Sequence, residues 1–380
     1  MEGMAVEIVH VSLVHQRIDI RIFSKQCVSL QQSGIGNVAF LIADGNGDDV
    51  VLGVRIIDVG KPIGGRASRA FNGSVRMWKK FRSIKSDIVH LHDPELLPLG
   101  LLLKLKGKIV IYDMHENLPK EILTKPYLNK YIKKPLSFLL KEFQSILFRF
   151  MPVVFAENSY PKDFKWVKKS AIVLNFPLVD EMKKRVPVKK REQFTVGYLG
   201  GISVERGALM QLNVVEELRS EGLDIATLFI GPVAEDVLRS EIYERATSKG
   251  WAIFTGRVKP EIGWAKIAEC HLGFAILEPS PNFIESYPTK LFEYMILGLP
   301  CVVSDFPLYR RIVDESECGL LLDPLDKDKI KASVRWIMNN PQRALEMGIK
   351  GNACATEKYS WNSEYQKLEK LYMELLVSLK

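Results

Sequence analysis

The segment ESYPTKLFEYMILGLPCVVSD, residues 285–305, sets two carboxylates and a lysine around a short run of helical character. Pro288 suits a first helical position and Gly298 with Pro300 marks a stop, so a helix is expected from Pro288 to Leu297. Glu285 precedes its start and Glu293 falls about one and a half turns inside it. Free N–H groups and the helix dipole at such a start favour an anion such as a diphosphate. One carboxylate can then sit on each side of that anion and accept hydrogen bonds from hydroxyls. A nucleotide sugar has this layout, its sugar and ribose flanking the phosphates. Lys290, on the first turn, adds positive charge. Two glutamates eight apart are a weak signal alone, and Glu293 beside Lys290 also reads as a solvated pair with no structural duty. What carries the reading is the order: Glu, Pro-started helix, Gly-Leu-Pro stop, buried strand.

A second segment, TVGYLGGISVERGALMQL (195–212), reads as a strand ending at Gly200-Gly201, a loop, and a helix from about Gly207. Glycines let a backbone approach phosphate closely, and Arg206 can hold phosphate oxygens. A tight turn with a surface arginine is the plainer alternative. GxGxxG is absent, which disfavours a nicotinamide cofactor. His15, His90, His92 and His115 fall at expected strand ends, where a lone histidine is more often structural than catalytic. His115 stands out because an acid follows it. HDP at 92–94 reads as a cap, with Asp93 as N-cap of the next helix. Asp19 and Arg21 suit a structural ion pair, and His271 a structural role.

These residues need a frame of strands. Apolar, β-branched runs at 6–14, 37–43, 87–92, 108–115 and 153–158 read as buried parallel strands, with helical stretches at 20–33, 68–85 and 127–149 between them. The pattern restarts with 195–200, 225–231, 251–256, 273–277 and 300–305. Strand–helix alternation occurring twice implies an α/β protein of two doubly wound, Rossmann-like domains. The Pro- and Lys-rich stretch 181–193 reads as a linker between residues 1–180 and 194–358. Residues 359–380 form a closing helix with Trp361, Tyr365, Leu368, Leu371 and Leu375 at spacings of three and four.

Composition narrows the class. The chain has 380 residues, 47% hydrophobic and 26% charged, as a globular protein of about two domains should. Its five cysteines are far apart, which excludes a disulfide framework and a zinc ribbon; no acidic metal cluster is evident. Glu2 and Glu7 stand where a signal peptide needs positive charge, so a cytoplasmic protein is expected. Residues 1–191 carry 32 basic and 18 acidic residues, net +14, against −6 for the remainder. The two halves should therefore meet different partners.

The loop YLGGISVERG, the segment ESYPTKLFEYMILGLPCVVSDFP and the later CGLLLDP resemble the C-terminal domain of retaining family 4 glycosyltransferases. The spacing of Glu285 and Glu293 is similar to that family's E-x7-E motif. HQRIDIRIFSKQC, HLHDPELLPLG, IYDMHENLP and NFP resemble its bacterial surface-polysaccharide branch, and KYSWNSEYQKLEKLY its closing helix. The resemblance implies a GT-B fold, two Rossmann-like domains facing a central cleft, with a C-terminal helix crossing back to the acceptor-binding first domain. It implies no cofactor and no metal, and a nucleotide sugar, with UDP expected, as donor. Glu285 would contact the donor sugar and Glu293 the ribose. Arg206, Lys290, Gly200, Gly201 and the backbone around Ser286, Tyr287, Pro288 and Thr289 would surround the diphosphate, and Arg257 would lie along the base. His115 would stand beside the reacting sugar; His15, Arg17, Asp19, Arg21 and His92, from their placement, are expected to meet the acceptor or the cleft. Two departures matter. The paired glycines of the family's first loop are replaced by VHQRIDIR, and Gly201 stands where many members carry a second phosphate-binding arginine, which directs attention to Arg17 and Arg21.

Two other classes fit less of the sequence. A nucleotide-sugar epimerase shares the architecture but has no motif here. A polyanion-binding protein would use the +14 half, yet no base-reading motif is present, so nucleic acid is not an expected partner. Residues 66–86 and 127–150 combine basic residues with apolar stripes: Arg66, Arg69, Arg76, Lys79, Lys80, Arg82 and Lys85 in the first, Lys130, Lys133, Lys134, Lys141 and Arg149 in the second. Either the stripes pack on the first sheet, or they bind the inner face of an anionic cytoplasmic membrane, where a polyprenyl-diphosphate-linked glycan would be the acceptor.

Overall fold

The computed structural model describes residues 6–62, 64–124, 128–184 and 189–377, with backbone only at 66, 67, 69, 70, 124, 281 and 282. Linker residues 185–188 and the side chains of Arg66 and Arg69 thus lie outside the described residues. The chain divides into two compact units: residues 1–175 with 362–380, and residues 176–361.

The first unit holds β1 (Glu7–Val11), β2 (Asn37–Ile42), β3 (Asp49–Val51), β4 (Val54–Asp58), β5 (Ile88–Leu91), β6 (Ile109–Met114), β7 (Val153–Phe155) and β8 (Ser170–Ile172), ordered β3-β4-β2-β1-β5-β6-β7-β8. All pairs are parallel except β3–β4. The β3–β4 hairpin turns through Leu52 (φ 50°) and Gly53 (φ 82°), the double left-handed geometry that matches strand twist. Chain order reverses at β1, between β2 and β5. In an open α/β sheet that crevice, at the carboxyl ends of the strands, is where ligands bind.

The second unit holds β9 (Phe194–Leu199), β10 (Ile225–Ile230), β11 (Ala252–Phe254), β12 (Leu272–Ala275), β13 (Cys301–Ser304) and β14 (Gly319–Leu322), ordered β11-β10-β9-β12-β13-β14 and parallel throughout. Its switch point lies between β9 and β12. The loops carrying Gly200-Gly201 and residues 276–288 leave these two strands, so the topology brings both motifs to one crevice.

Three helices differ from expectation. The stretch over 20–33 starts as a wide-turn helix, Ile20–Cys27, and continues as an α-helix, Val28–Ser33. Where a loop and then a Pro288 start were expected, a short helix Pro281–Glu285 comes first, and Pro288 caps the helix Thr289–Ile296 from outside. The two basic helices part company. Arg66–Phe81 turns Met77 and Phe81 into the core with Trp78 packed against it, whereas Lys130–Leu147 leaves Tyr131, Ile132, Phe138, Leu139, Phe143 and Ile146 exposed. No described helix is long and apolar enough to cross a membrane. The closing helix, Trp361–Val377, buries Leu368, Leu371, Tyr372 and Leu375 from within the first unit.

Candidate active site

In the second unit the crevice is built around backbone. Gly207 (φ 78°) ends the loop after β9, and a Cβ there would stand 2.0 Å from the Ile276 carbonyl oxygen, so only glycine lets this loop close on the one after β12. Tyr198, buried at the end of β9, donates its hydroxyl proton to the Gly201 carbonyl at 2.8 Å and accepts a hydrogen bond from Lys290 Nζ. The Lys290 ammonium lies 3.8 Å from the centre of the Tyr198 ring, a cation–π contact, and the Arg206 guanidinium lies over the Phe283 ring at 5.8 Å. Among the described residues neither cation forms an ion pair with a carboxylate. Burial, then the neighbouring Arg206, push the Lys290 amine well below the usual lysine range, with Glu293 partly opposing. Burial likewise pushes the Tyr198 phenol up to about 12.

The carboxylates occupy different settings. Glu285 and Thr289 are exposed, Ser286 and Tyr287 half-buried, and Pro288 buried. Tyr287 accepts a hydrogen bond from Arg311 at 3.2 Å. Glu293 has the structural duty that its sequence context did not reveal: its Oε1 accepts from Trp264 Nε1 at 3.0 Å. Arg257 is exposed in the loop after β11, two strands out from β9.

In the first unit the strand ends are occupied by side chains bonded to one another. Asp113 on β6 is fully buried and held as a carboxylate by a bidentate contact from Arg21 (2.7 and 3.1 Å), by Gln26 Nε2 (2.6 Å) and by His115 Nε2 (2.9 Å). Burial works against this charge, but the Arg21 and His115 fields outweigh it and hold the carboxyl well below its ordinary value. A carboxylate only accepts, so His115 donates to it from Nε2. Behind it, His92 Nε2 meets His10 Nδ1 at 2.9 Å, His10 Nε2 meets Tyr372 Oη at 3.3 Å, and Tyr372 Oη meets His90 Nδ1 at 2.9 Å. Burial is the largest cause that keeps these three rings neutral, with His92 lowered to about 3. Tyr372 thus ties the closing helix to the strand ends of this unit.

Several first-unit residues have partners other than those expected. Arg21 pairs with Asp113, not Asp19, because its side chain runs into the sheet and also donates to the Val173 carbonyl at 3.0 Å. Asp19 instead caps the wide-turn helix, accepting from the Ile22 amide at 2.8 Å. Arg17 grips Asp44 through two 2.9 Å bonds and donates to the Gly47 carbonyl at 2.7 Å. Both arginines are therefore paired internally with buried or half-buried carboxylates. Asp93 makes no side-chain cap; it turns back to Ser12, the Leu13 amide and His15. His92 is 2% exposed, so it supports His115 rather than presenting a surface of its own. Sequence reading passed over Asp113, Tyr372 and Tyr198; a charge inside the apolar run IVIYDM was the signal for the first.

His10, His90 and His92, and His92, Asp113 and His115, are the groups among the described residues whose ligand atoms approach within 4.8 Å of each other. Most of these atoms are already spent on the bonds above, and Arg21 sets a fixed positive charge against Asp113. These ties compete with a metal at the second group, whereas in the first His90 Nε2 is buried with no hydrogen-bond partner among the described residues.

Residues 179–353 match the family described as "Glycosyl transferases group 1". The chain is 23% identical over 348 residues to a phosphatidyl-myo-inositol mannosyltransferase of Mycolicibacterium smegmatis, covering 86% of this chain and 81% of that one. It is 28% identical over 136 residues to the D-rhamnosyltransferase WbpZ of Pseudomonas aeruginosa, a match spanning 35% of this chain and 34% of WbpZ. The fold is similar to a sucrose-phosphate synthase from Thermosynechococcus elongatus (TM-score 0.72, 14% identity, 98% of this chain and 100% of that one). It is also similar to Anabaena HepE solved with UDP and glucose (TM-score 0.69, 12% identity, 97% and 100%). The chain has the GT-B fold, and its residues 179–353 match the group 1 glycosyl transferase family.

Proposed function

We propose that the protein is a retaining, metal-independent glycosyltransferase of family 4. It moves a hexose or N-acetylhexosamine from a UDP-sugar to a hydroxyl of a lipid-linked glycan in bacterial surface-polysaccharide synthesis. The observation that carries the donor half is the pair Arg206 and Lys290, two cations without a carboxylate partner beside the start of a helix at a sheet switch point. A diphosphate supplies the missing negative charge. Glu285 then meets sugar hydroxyls and Glu293 the ribose. The C1–O bond to the diphosphate breaks with its electron pair leaving on phosphate, and the acceptor oxygen bonds C1 from the same face, giving its proton to a departing phosphate oxygen. Glu285 positions the sugar and forms no bond to it; a trapped glycosyl–Glu285 adduct would sink that role. The names of the mannosyl- and rhamnosyltransferase relatives and the UDP-bound neighbours support the class of reaction.

For the acceptor half, the support is the exposed apolar stripe of the helix Lys130–Leu147, flanked by Lys130, Lys133, Lys134 and Lys141. Each basic group near an anionic leaflet contributes about 1 kcal/mol. Salt-reversible sedimentation with anionic but not neutral vesicles is expected, and equal binding to both would refute it.

The direct test of the donor half is thermal stabilisation across a panel of nucleotide sugars, followed by NMR of the product anomer. Stabilisation by a UDP-sugar and retention at C1 are expected. Glu293→Ala should weaken nucleotide binding by about 1–3 kcal/mol. Because Trp264 loses its acceptor in that variant, Glu293→Gln is the control.

A further inference from the structure

The loop after β1 carries three basic side chains, and two of them are spent: Arg17 on Asp44, Arg21 on Asp113. His15 is the third. Its Nδ1 lies 2.9 Å from Asp93 Oδ1 and 3.0 Å from Ser12 Oγ, while Nε2, in the exposed part of the ring, has no protein partner among the described residues. Asp93 is buried, with 0% side-chain exposure, and no arginine or lysine reaches it. Its other donors are the Ser12 hydroxyl and the Leu13 amide, both neutral. A buried carboxylate without a cation is costly, so the charge that balances Asp93 has to come from His15. Burial of the ring opposes protonation, yet the hydrogen bond and charge of Asp93, with Asp19 and Asp113 further off, raise His15 above the ordinary histidine value. His115 stands edge-on at 5.0 Å, and its own aspartate is already matched by Arg21.

We propose that His15 is a phosphate-binding imidazolium, its outward Nε2–H donating to an anionic oxygen of a diphosphate group next to His115. The proposal rests on the glycosyltransferase reading only for the identity of the substrate; the anion site itself follows from the charge balance of Asp93. Where a backbone of paired glycines would offer neutral amides, this loop offers a charged donor already held in place by a buried acid.

Inorganic pyrophosphate is the probe, titrated into full-length protein labelled with 15N-histidine and followed by long-range 1H–15N spectra, with His15→Gln for assignment. At pH 7 both nitrogens of His15 should be protonated in the free protein, and Nε2 should shift on addition of pyrophosphate but not of chloride. Pyrophosphate affinity should fall about tenfold in His15→Gln, the scale of one charge-assisted hydrogen bond, and recover in His15→Lys. Asp93→Asn should leave His15 neutral at pH 7, with binding regained as the pH is lowered to about 5.5, below the ordinary histidine value; a purely structural role would give no such recovery. A neutral His15 at pH 7 overturns the proposal. So does a pyrophosphate response confined to the second unit and abolished by Arg206→Ala, which would leave the donor reading standing. Conversely, His15 responding while no nucleotide sugar stabilises the protein would sink the glycosyltransferase reading and keep this one.

Discussion

The carboxyl ends of the two sheets solve opposite problems with similar topology. In the first unit the edge is filled: Asp113, Arg21, Gln26, His92 and His10 are buried and bonded to each other, although among the described residues the buried Gln26 Oε1 and His90 Nε2 lack a partner. In the second unit the edge is left short of charge: glycines clear space, and Lys290 and Arg206 wait on aromatic rings instead of carboxylates. A satisfied network holds geometry before anything binds; an unsatisfied one stores affinity for what is missing. Substitutions should therefore act on stability in the first unit and on binding in the second.

The largest test of that contrast is Asp113→Asn. It strands a buried arginine and removes the acceptor of His115, so a loss of about 3–5 kcal/mol is expected in denaturant melts, the cost of breaking a buried ion pair from one side. A loss under 1 kcal/mol would mean the network is not structural. Acid should do the same work gradually. His10, His90 and His92 are neutral in the folded unit but protonate in the unfolded chain near 6.5, so the unfolded state takes up protons first as pH falls. Stability is full above about pH 6.5 and drops by about 1.4 kcal/mol per pH unit for each such ring, down to about pH 3 for His92. Asp113, with its depressed carboxyl, adds to the loss below about pH 4. Urea midpoints between pH 8 and 4 measure it; a flat profile breaks the comparison.

Lys290→Met should behave in the reverse way. Removing a buried amine that lacks a carboxylate partner among the described residues should leave the unliganded fold as stable or more so, while nucleotide diphosphate affinity falls by about 1.5–3 kcal/mol. Because burial depresses this amine and an anion would restore it, binding should take up a proton, and affinity should weaken as pH rises toward 10.5. Calorimetry in buffers of different ionisation enthalpy reads the proton directly; release in place of uptake would contradict the assignment.

How much of this the sequence disclosed follows the same division. The second edge was legible because its parts are contiguous: glycines, Pro288, Lys290 and two glutamates lie in two short segments, and turn and cap chemistry is local. Parallel buried strands were legible from apolar runs, while β3, β4, β8 and β14 escaped because they are short, lie at or beside sheet edges, and in β3 and β4 carry Asp49, Arg55 and Asp58. The first edge was only half legible. Histidines at strand ends drew notice, but whether Arg21 reaches Asp19 or Asp113 depends on partners up to 92 residues apart, which no spacing rule encodes. The two basic amphipathic helices show the same limit: their sequences look alike, yet the first buries Met77 and Phe81 while leaving Phe71 and Val75 exposed, and the second leaves its stripe exposed.

The smallest effect concerns the link from the closing helix to that first edge. Tyr372 Oη touches His90 and His10, and its ring is fully buried. Tyr372→Phe keeps the ring and removes the hydroxyl, leaving His10 Nε2 and His90 Nδ1 without that partner. An uncompensated buried polar group costs about 1–3 kcal/mol, but here two neutral rings can retautomerise to leave lone pairs rather than N–H groups exposed to the core, so a loss near 1 kcal/mol is expected. The substitution should also lessen the protection of helix amides around Leu368 and Leu371 in hydrogen exchange, while amides of the second unit are unchanged. If stability holds and exchange is unaltered, the closing helix is fixed by Leu368, Leu371 and Leu375 alone, and the filled edge ends at His10.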